Sequence, residues 1–569
     1  MNRFAFVLAL LTVLSAVGLA QWSNNPAVNT ALAVGKDERY DLNTISDASG
    51  NTYVTWYANS TGTTSGVYVQ KISLTGALPW GAGGVRVQAI AQTAEKPSLS
   101  LDGSGGVFVT WVDTRPTNDD QNIYGQHITS AGTIQWSANG ANLTQIIGLS
   151  FRSPGNPQML SDGSNGTYLS WDDAFGLQLM RISSNGVVAW NTYVDSTFTN
   201  PTDTRIASDG AGGVILAWSD ARNGVSGDFG DIYAQRVDPS GTNLWTLGGV
   251  VVSSATNMQI YPQIVADGSG GAIIAWQDFR DAAHFRPYGQ KLNASGVSQW
   301  TANGLSLCST GNAVNQLVLS SDGAGGAIFT WDESRPTDEN IYAQRVNAAG
   351  AIQWGATAAA VCTNSSPQAN PEIVADGSGG AIIAWDDNRH TGINADIYAQ
   401  RLNAGGVPQW TTDGVAVSTA PNDQRHPLVA SYPNNSAVVV WYDFRVNGGS
   451  QYAEIYAQYV SAGGALSRVQ RSSAGIPESF ALDQNFPNPF NPSTEIKFQI
   501  ASGQHTNLTV YNTLGQQVRA LVDGEMNAGS YSVTWDGKDD RGAQVSSGMY
   551  LYRLEAGNSA AVKRMVMMK

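Results

Sequence analysis

One motif recurs eight times in this chain. The segment Ile264-Val-Ala-Asp-Gly-Ser-Gly-Gly-Ala-Ile-Ile-Ala-Trp276 returns unchanged as Ile373 to Trp385. Looser copies end at Trp56, Trp111, Trp171, Trp218, Trp331 and Trp441. The eight tryptophans span 385 residues in seven steps, a mean period of 55. A fixed period of this size means stacked or radial repeats, each too small to bury its own apolar face. Each unit reads as four short strands, a to d. Strand a is the apolar stretch before Asp-Gly, and strand b ends in the tryptophan. Strand c resembles Ile397-Tyr-Ala-Gln-Arg-Leu402, and strand d runs from a second tryptophan, as in Gln409-Trp410 through Val415-Ala-Val417. Asp-Gly between apolar runs is a hairpin signal, because glycine tolerates positive φ. No segment carries sustained helical periodicity.

Four strands per unit, repeated radially, describe a β-propeller blade. The ends of the chain argue for a closed ring. The second tryptophan occurs at 80, 136, 190, 245, 300, 354 and 410, but repeat 8 lacks it. The missing copy stands at the other end, as Gln21-Trp22 followed by Ala31-Leu-Ala-Val34. A strand d that precedes the first repeat can complete the last one and leave no bare sheet edge. The expected fold is therefore all-β: an eight-bladed β-propeller over residues 21–467, closed by its N-terminal strand, then a linker (468–479) and a small β-sandwich (480–569). An open solenoid has no use for the displaced strand. The strand-b tryptophans read as core, each burying about 200 Å², worth at most ~5 kcal/mol.

Residues 1–20 carry a short basic start, an apolar run from Phe4 to Leu14 and small residues at Gly18 and Ala20. This predicts a secretory signal peptide and a mature chain without a transmembrane segment. Charged residues are 13% of the sequence, with 31 basic against 45 acidic, a net charge of −14. That balance, with no Lys/Arg cluster, argues against a nucleic-acid partner. Two cysteines, Cys308 and Cys362, are too few for a disulfide scaffold and read as free packed thiols.

Beyond the repeats lie Gln484-Asn-Phe-Pro-Asn-Pro-Phe-Asn-Pro492, Val510-Tyr-Asn-Thr-Leu-Gly515, Trp535-Asp-Gly537, Ser547-Gly-Met-Tyr550 and Lys563-Arg-Met-Val-Met-Met-Lys569. Strands alternating apolar and polar residues separate them, as in an antiparallel Ig-like sandwich. These blocks resemble the C-terminal sorting domain (type A) of the type IX secretion system of Bacteroidota. The segment also looks like the Ig-like domain of flagellar hook-capping proteins. The first resemblance implies type IX secretion machinery as a partner, export across both membranes, and a product secreted or attached to the outer-membrane surface. It implies an address, not a function for the repeats.

For function, the b–c loops begin with a repeated acid-x-Arg. The pairs are Asp113/Arg115, Asp220/Arg222, Asp278/Arg280, Glu333/Arg335, Asp387/Arg389 and Asp443/Arg445. Repeat 1 has Ala58 and Ser60 instead, and repeat 3 has Asp173 and Phe175. A guanidinium fork suits a carboxylate, so each pair reads as a clamp on its loop or as one member of a ring of ligand sites. Six copies favour the clamp, since catalysis needs one asymmetric constellation. Asp172/Asp173 and Asp386/Asp387 are adjacent acids, but strand alternation points neighbours to opposite faces, a poor start for a paired-carboxylate hydrolase. His127, His284, His390, His426 and His505 form no metal-ligand spacing, and no phosphate loop or Gly-x-Ser-x-Gly elbow occurs. The sequence thus predicts no metal, no cofactor and no assigned catalytic residue. It suggests a non-enzymatic binding module for an extracellular glycan or protein. A polysaccharide hydrolase or lyase and a structural envelope component are the alternatives.

Overall fold

The computed structural model describes residues 22–568 apart from 24, 36, 60–63, 91–93, 116–120, 145–153, 174, 198–200, 223–229, 336–337, 391–393, 447–451, 467–468, 474–478, 503, 527–528, 536, 540–543 and 558. Residues 1–20, read from the sequence as a signal peptide, lie outside the described residues, as do Gln21 and Ser60. The chain divides into two compact units, meeting in sequence near residue 470.

The first unit holds eight four-stranded antiparallel sheets, one per repeat, with strand order a-b-c-d. This is propeller architecture. The a strands are Glu38–Ser46, Ala94–Leu101, Gly155–Ser161, Thr202–Ser208, Gln259–Ala266, Ala313–Ser321, Gln368–Ala375 and Gln424–Tyr432. Strand b is buried along nearly its whole length in every repeat, as its unbroken apolar run requires. Its tryptophans are all at most 1% exposed. Apolar clusters fill each gap between consecutive sheets, for example Ile273, Ala275, Phe329 and Trp331 between repeats 5 and 6.

The eighth sheet takes its outer strand from the other end of the chain. Thr30–Ala33 pairs antiparallel with Glu454–Val460 of repeat 8, with Thr30 opposite Ala457 and Ala31 opposite Tyr456. Val415 and Ala416 face Ala399 and Tyr398 in the same register within repeat 7. Trp22, Leu32 and Ala33 then join Val54 and Trp56 of repeat 1 and Val438 and Val440 of repeat 8 in one core cluster, so the last sheet packs on the first.

A second tryptophan makes each step between sheets. The indole of Trp245 lies against Gly296 in the c–d turn of the next repeat, and its Nε1 donates to the Ala294 carbonyl at 3.0 Å. Trp80, Trp136, Trp190, Trp300, Trp354 and Trp410 donate to the equivalent carbonyls of Ser130, Ser184, Pro239, Ala348, Ala404 and Ala462. The turn glycine is obligatory twice over. Gly296 has φ of +77°, and a Cβ there would come within 2.9 Å of the ring. Trp22 lays its ring on Gly76 of repeat 1 in the same way, but its Nε1 finds no acceptor among the described residues.

Two boundaries differ from the sequence reading. In most repeats the second tryptophan precedes strand d, which is only two to four residues long, such as Val415–Ser418. A turn closed by Gly414, whose Cβ would strike Trp385, separates the two. Repeat 3 lacks that glycine, and there Val188–Asp195 runs as one long strand through Trp190. Residues 469–473, read as linker, form a strand beside Gly529–Trp535.

The second unit has two four-stranded sheets. One joins 469–473, Gly529–Trp535, Thr494–Ile500 and Ala481–Leu482, and the other joins Gln517–Met526, Gln504–Tyr511, Gly548–Ala556 and Ser559–Met567. Its core includes Trp535, Tyr552, Phe498 and Met565. The proline-rich block is fixed rather than extended: buried Asn485 donates to Thr494 Oγ1 and to the Pro487 carbonyl, and its backbone N–H donates to Tyr552 Oη.

The closing strand is testable. Trp22→Ala removes a fully packed indole and should cost about 3–5 kcal/mol of unfolding free energy in denaturant titration. Deletion of residues 22–34 should in addition expose the edge of repeat 8 and promote association, read by light scattering on size exclusion. An unchanged midpoint and a monomeric deletion variant would contradict the closure.

Candidate functional site

The acid-x-Arg pairs are built into the fold. Asp278 ends strand b, wholly buried, and takes four hydrogen bonds within its own repeat. Trp276 Nε1 donates to Oδ2 at 2.8 Å, Arg280 N to Oδ1 at 3.0 Å, Arg280 Nε to Oδ1 at 2.8 Å and Arg280 Nη2 to Oδ2 at 2.6 Å. The guanidinium stacks on the Tyr288 ring of strand c at 3.8 Å and donates to the Asn303 carbonyl at 2.6 Å. The same arrangement holds for Asp220/Arg222 on Tyr233, Asp387/Arg389 on Tyr398 and Asp443/Arg445 on Tyr456. Arg445 also donates to Asn29 Oδ1, at 2.7 Å, in the closing segment. Glu333 is one methylene too long: Thr310 and Asn312 take its carboxylate along with Arg335, and Trp331 Nε1 is left without an acceptor. In repeat 3, Gln178 replaces the arginine on Asp173 at 2.9 Å.

For Asp113, Arg115, Asp220, Arg222, Asp278, Arg280, Glu333, Arg335, Asp387, Arg389, Asp443 and Arg445 the sequence left two readings, a clamp and a ring of ligand sites; in the structure the members of each pair bond to one another. Arg115 shows the arrangement fully. A ligand-binding Arg115 would offer its guanidinium fork outward from the loop. Instead Arg115 Nε and Nη2 both donate to Asp113 Oδ2, at 3.0 and 2.5 Å, and Nη1 donates to the Asn139 carbonyl at 2.8 Å. Its plane lies on the Tyr124 ring at 3.7 Å. The physical reason is the burial of Asp113, which is 0% exposed and needs a cation beside it. The other five pairs meet the same need: each acid is buried and holds its arginine, whose side chain stays between 12% and 34% exposed.

The hairpin acids at the other end of the sheets are paired as well. Asp322 Oδ1 accepts from the loop N–H groups of Ala324 and Gly326 at 2.8 Å each, while Oδ2 binds Arg345 of strand c at 2.9 Å. Arg345 reaches on to the Ala404 carbonyl in the next repeat. His127, Arg181, Arg236, Lys291 and Arg401 serve Asp102, Asp162, Asp209, Asp267 and Asp376 alike. Cys308 and Cys362 are free and buried; burial pushes the Cys362 thiol up to about 12. His390 pairs with Asp396 at 3.2 Å, and His426 lies beside Tyr442.

A further set of polar side chains lies along strand a. Strand a is the free inner edge of each sheet, and in every repeat its ladder slips once near its start. Asp41, Lys96, Asn156, Asp203, Tyr261, Asn370 and His426 sit at these bulges with φ between 29° and 57°. Non-glycine residues rarely adopt such backbone, and clusters of them mark sites where side chains are re-aimed. Five of the seven precede a proline, whose missing N–H suits an edge.

Strand a of six repeats lines an axial cavity of about 720 Å³. That lies within the roughly 300–1,000 Å³ of small-ligand sites. Eight amide side chains face it, among them Asn43, Gln158, Gln263, Gln277 and Asn370, together with the half-exposed ring of Tyr261. Its charged residues are Arg205, Asp332 and Glu372. Burial pushes the Glu372 carboxyl up to about 7, with Arg205 pulling the other way. Asp332 is raised by burial despite bonds from Asn315 Nδ2 and Gln316 N. Just behind the wall, Asp386 is pushed up to about 7 by burial while it accepts from Asn370 Nδ2 and His426 N at 2.8 Å each. Asp386 and Asp387 thus point apart, one to the axial bulges and one into the clamp. The sequence reading found no unusual acid cluster; the channel acids are what it missed.

Residues 488–560 match the family model of the FlgD Ig-like domain, which identifies the C-terminal unit as Ig-like. No curated protein matches the chain. Among solved structures, a protein of unknown function from Dyadobacter fermentans is similar at 10% identity and TM-score 0.37, over 76% of this chain and 98% of that one. The β-propeller domain of the Trilobed protease from Pyrococcus furiosus aligns at 9% identity and TM-score 0.37, over 64% and 94%. The GH93 α-L-arabinofuranosidase of Fusarium graminearum aligns at 10% and 0.33, over 55% and 93%. These likenesses are too distant to assign a role to any residue here.

Glu372 gives a pH signature. Its folded pKa of about 7 lies above the 4.5 of a free glutamate, so the native state holds the proton longer than the unfolded chain. Stability should therefore fall as pH rises from about 4.5 to 7 and level off above. Glu372→Gln should flatten part of that slope in melting curves taken at pH 5, 6, 7 and 8. A slope identical to that of the unsubstituted protein would show that the carboxyl ionises normally.

Proposed function

We propose that the repeats form an eight-bladed, closed propeller that acts as an extracellular binding protein and takes a glycan in its axial cavity. The observation that carries this reading is the convergence of eight amide side chains and Tyr261 on one cavity. A carboxamide offers a donor and an acceptor side by side, which matches neighbouring sugar hydroxyls. An aromatic ring offers an apolar face of pyranose size. The acid-x-Arg ring on the loops is assigned to the scaffold, because its members, from Asp113/Arg115 to Asp443/Arg445, already satisfy one another.

Immobilised glycans followed by calorimetry test the reading. A glycan ligand should appear, and Tyr261→Ala should weaken it at least tenfold. Absence of any glycan ligand, or affinity unmoved by Tyr261→Ala, would remove the cavity as the site. One observation favours a hydrolase instead: Glu372, with a pKa near neutrality, and Asp332 share the cavity, and a general acid needs that poise. Release of reducing ends, lost in Glu372→Gln, would replace the binding reading with that one.

For the C-terminal unit we propose the type IX sorting role that its five sequence blocks suggest, with a product released or held at the outer-membrane surface. Removal of residues 480–569 should leave the propeller in the periplasm of a type IX-competent host. Undiminished appearance of the truncated chain outside the cell would count against the assignment.

A further inference from the structure

Two oppositely charged side chains of the axial cavity, Arg205 and Glu372, attract one another without closing an ion pair among the described residues. Arg205, on strand a of repeat 4, is the sole cation among the described residues that line it. Its guanidinium makes one hydrogen bond among the described residues, Nη1 to the Thr204 carbonyl at 3.2 Å. Glu372, on strand a of repeat 7, accepts none there; it and Asp203 act on Arg205 through their charge, without an ion pair within 4 Å among the described residues. The contrast with the rest of the molecule is sharp. Arg280, Arg345, Arg389 and Arg401 each bind a carboxylate at 2.9 Å or less. Buried charged groups are ordinarily paired, since an uncompensated one is costly to keep out of water. Both side chains are half-buried; desolvation lowers the Arg205 pKa and raises that of Glu372, while Asp203 and Glu372 favour the charged guanidinium and Arg205 favours the carboxylate. Such a pair is complete only when something else occupies the cavity.

We propose that the cavity takes an acidic sugar residue, a hydroxyl-rich ring bearing a carboxylate, with the carboxylate on Arg205 and ring hydroxyls shared between Glu372 and the amides. The inference rests on the glycan reading above and narrows its ligand class. The guanidinium fork presents parallel N–H donors that fit a carboxylate's two oxygens. A half-protonated Glu372 can donate to one hydroxyl or accept from another. The surrounding amides are neutral, so recognition of charge falls on Arg205 alone. A free amino acid would also satisfy two opposite charges, but it would leave the amides of four other repeats with nothing to bind.

The test uses the full chain and an array of acidic oligosaccharides printed beside their carboxyl-reduced neutral counterparts, with calorimetry on the best pair. The acidic member should bind at least tenfold more tightly. Arg205→Gln should abolish that difference while keeping the neutral sugar's affinity, and Arg205→Lys should restore part of it. The unliganded melting temperature of Arg205→Gln should stay close to that of the unsubstituted protein, because Arg205 is half-buried and closes no ion pair among the described residues; this separates lost recognition from lost folding. Equal binding of acidic and neutral members would overturn the acidic-sugar proposal and leave glycan binding standing. Binding of neither sugar, or of a free amino acid in their place, would overturn both.

Discussion

Everything in the propeller depends on one directional contact: an indole of one sheet laid on a glycine of the next, with its N–H on that turn's carbonyl. The contact has a donor side and an acceptor side, so each sheet offers one to its successor and receives one from its predecessor. An open array leaves one indole and one turn unmatched at its ends. Here Trp22 fills the gap by covering Gly76, and it brings a strand that completes the eighth sheet. The seam is reinforced by polar contacts. Asn29 Nδ2 donates to the Val417 carbonyl, Arg39 Nη1 to the Ala453 carbonyl at 2.7 Å, and Gly35 N to Glu454. Segments more than 400 residues apart are thus held by the same indole-on-glycine contact that joins adjacent repeats, with these polar bonds in place of the indole N–H bond, since Trp22 Nε1 has no acceptor among the described residues.

The sheets are stiffened at both ends by charge. At one end a buried carboxylate gathers an indole, a backbone N–H and a guanidinium stacked on tyrosine. At the other, the hairpin aspartate gathers two loop N–H groups and a strand-c cation that reaches the next repeat. Removing one partner from such a pair strands the other, at roughly 3–5 kcal/mol. Repeat 6 shows how closely the geometry is set. Glu333 keeps its arginine but loses the Trp331 indole, and Thr310 and Asn312 move into the role. With so many charged residues used this way, a chain that is only 13% charged has few left for a ligand.

Repetition made the scaffold legible, and departure from repetition hid the site. Trp276, Asp278, Arg280 and the Asp267-Gly hairpin recur at fixed spacing because each repeat solves the same packing problem, so strand order and closure could be read from spacing alone. The sandwich was legible from its alternating strands. Strand d was drawn too long, because a tryptophan held by the next repeat's turn looks like part of the strand it precedes. The ring of acid-x-Arg pairs stayed ambiguous because spacing does not say which way a guanidinium turns. Only the position of Tyr124 under Arg115, on a different strand, shows the fork folded back onto Asp113. The cavity was missed for a different reason. A bulge breaks the period of two, so the register of Arg205 and Glu372 cannot be counted from strand b. A usable signal did exist: Lys96, Asn156, Tyr261, Asn370 and His426 each stand before a proline at the same place in the repeat, and no two neighbours around the ring carry the same residue. Variation at one position of an otherwise uniform unit marks where the symmetry is broken.

That location also decides how well the site can work. A loop site would have to order itself when a ligand arrives, at a cost in conformational entropy. The inner edges of the sheets are already fixed, each backed by a fully buried strand b and flanked by two neighbouring sheets. The αL backbone at the bulges is held by that surrounding packing and aims side chains that a regular strand would turn into the interfaces. Arg205 and Glu372 are therefore kept close to where a ligand would meet them even while they are unpaired. Whatever stability is lost by holding two half-buried charges apart is spread over the surrounding sheets, and a ligand that binds the native state recovers it by mass action. A rigid ring is what lets this chain keep an unsatisfied centre.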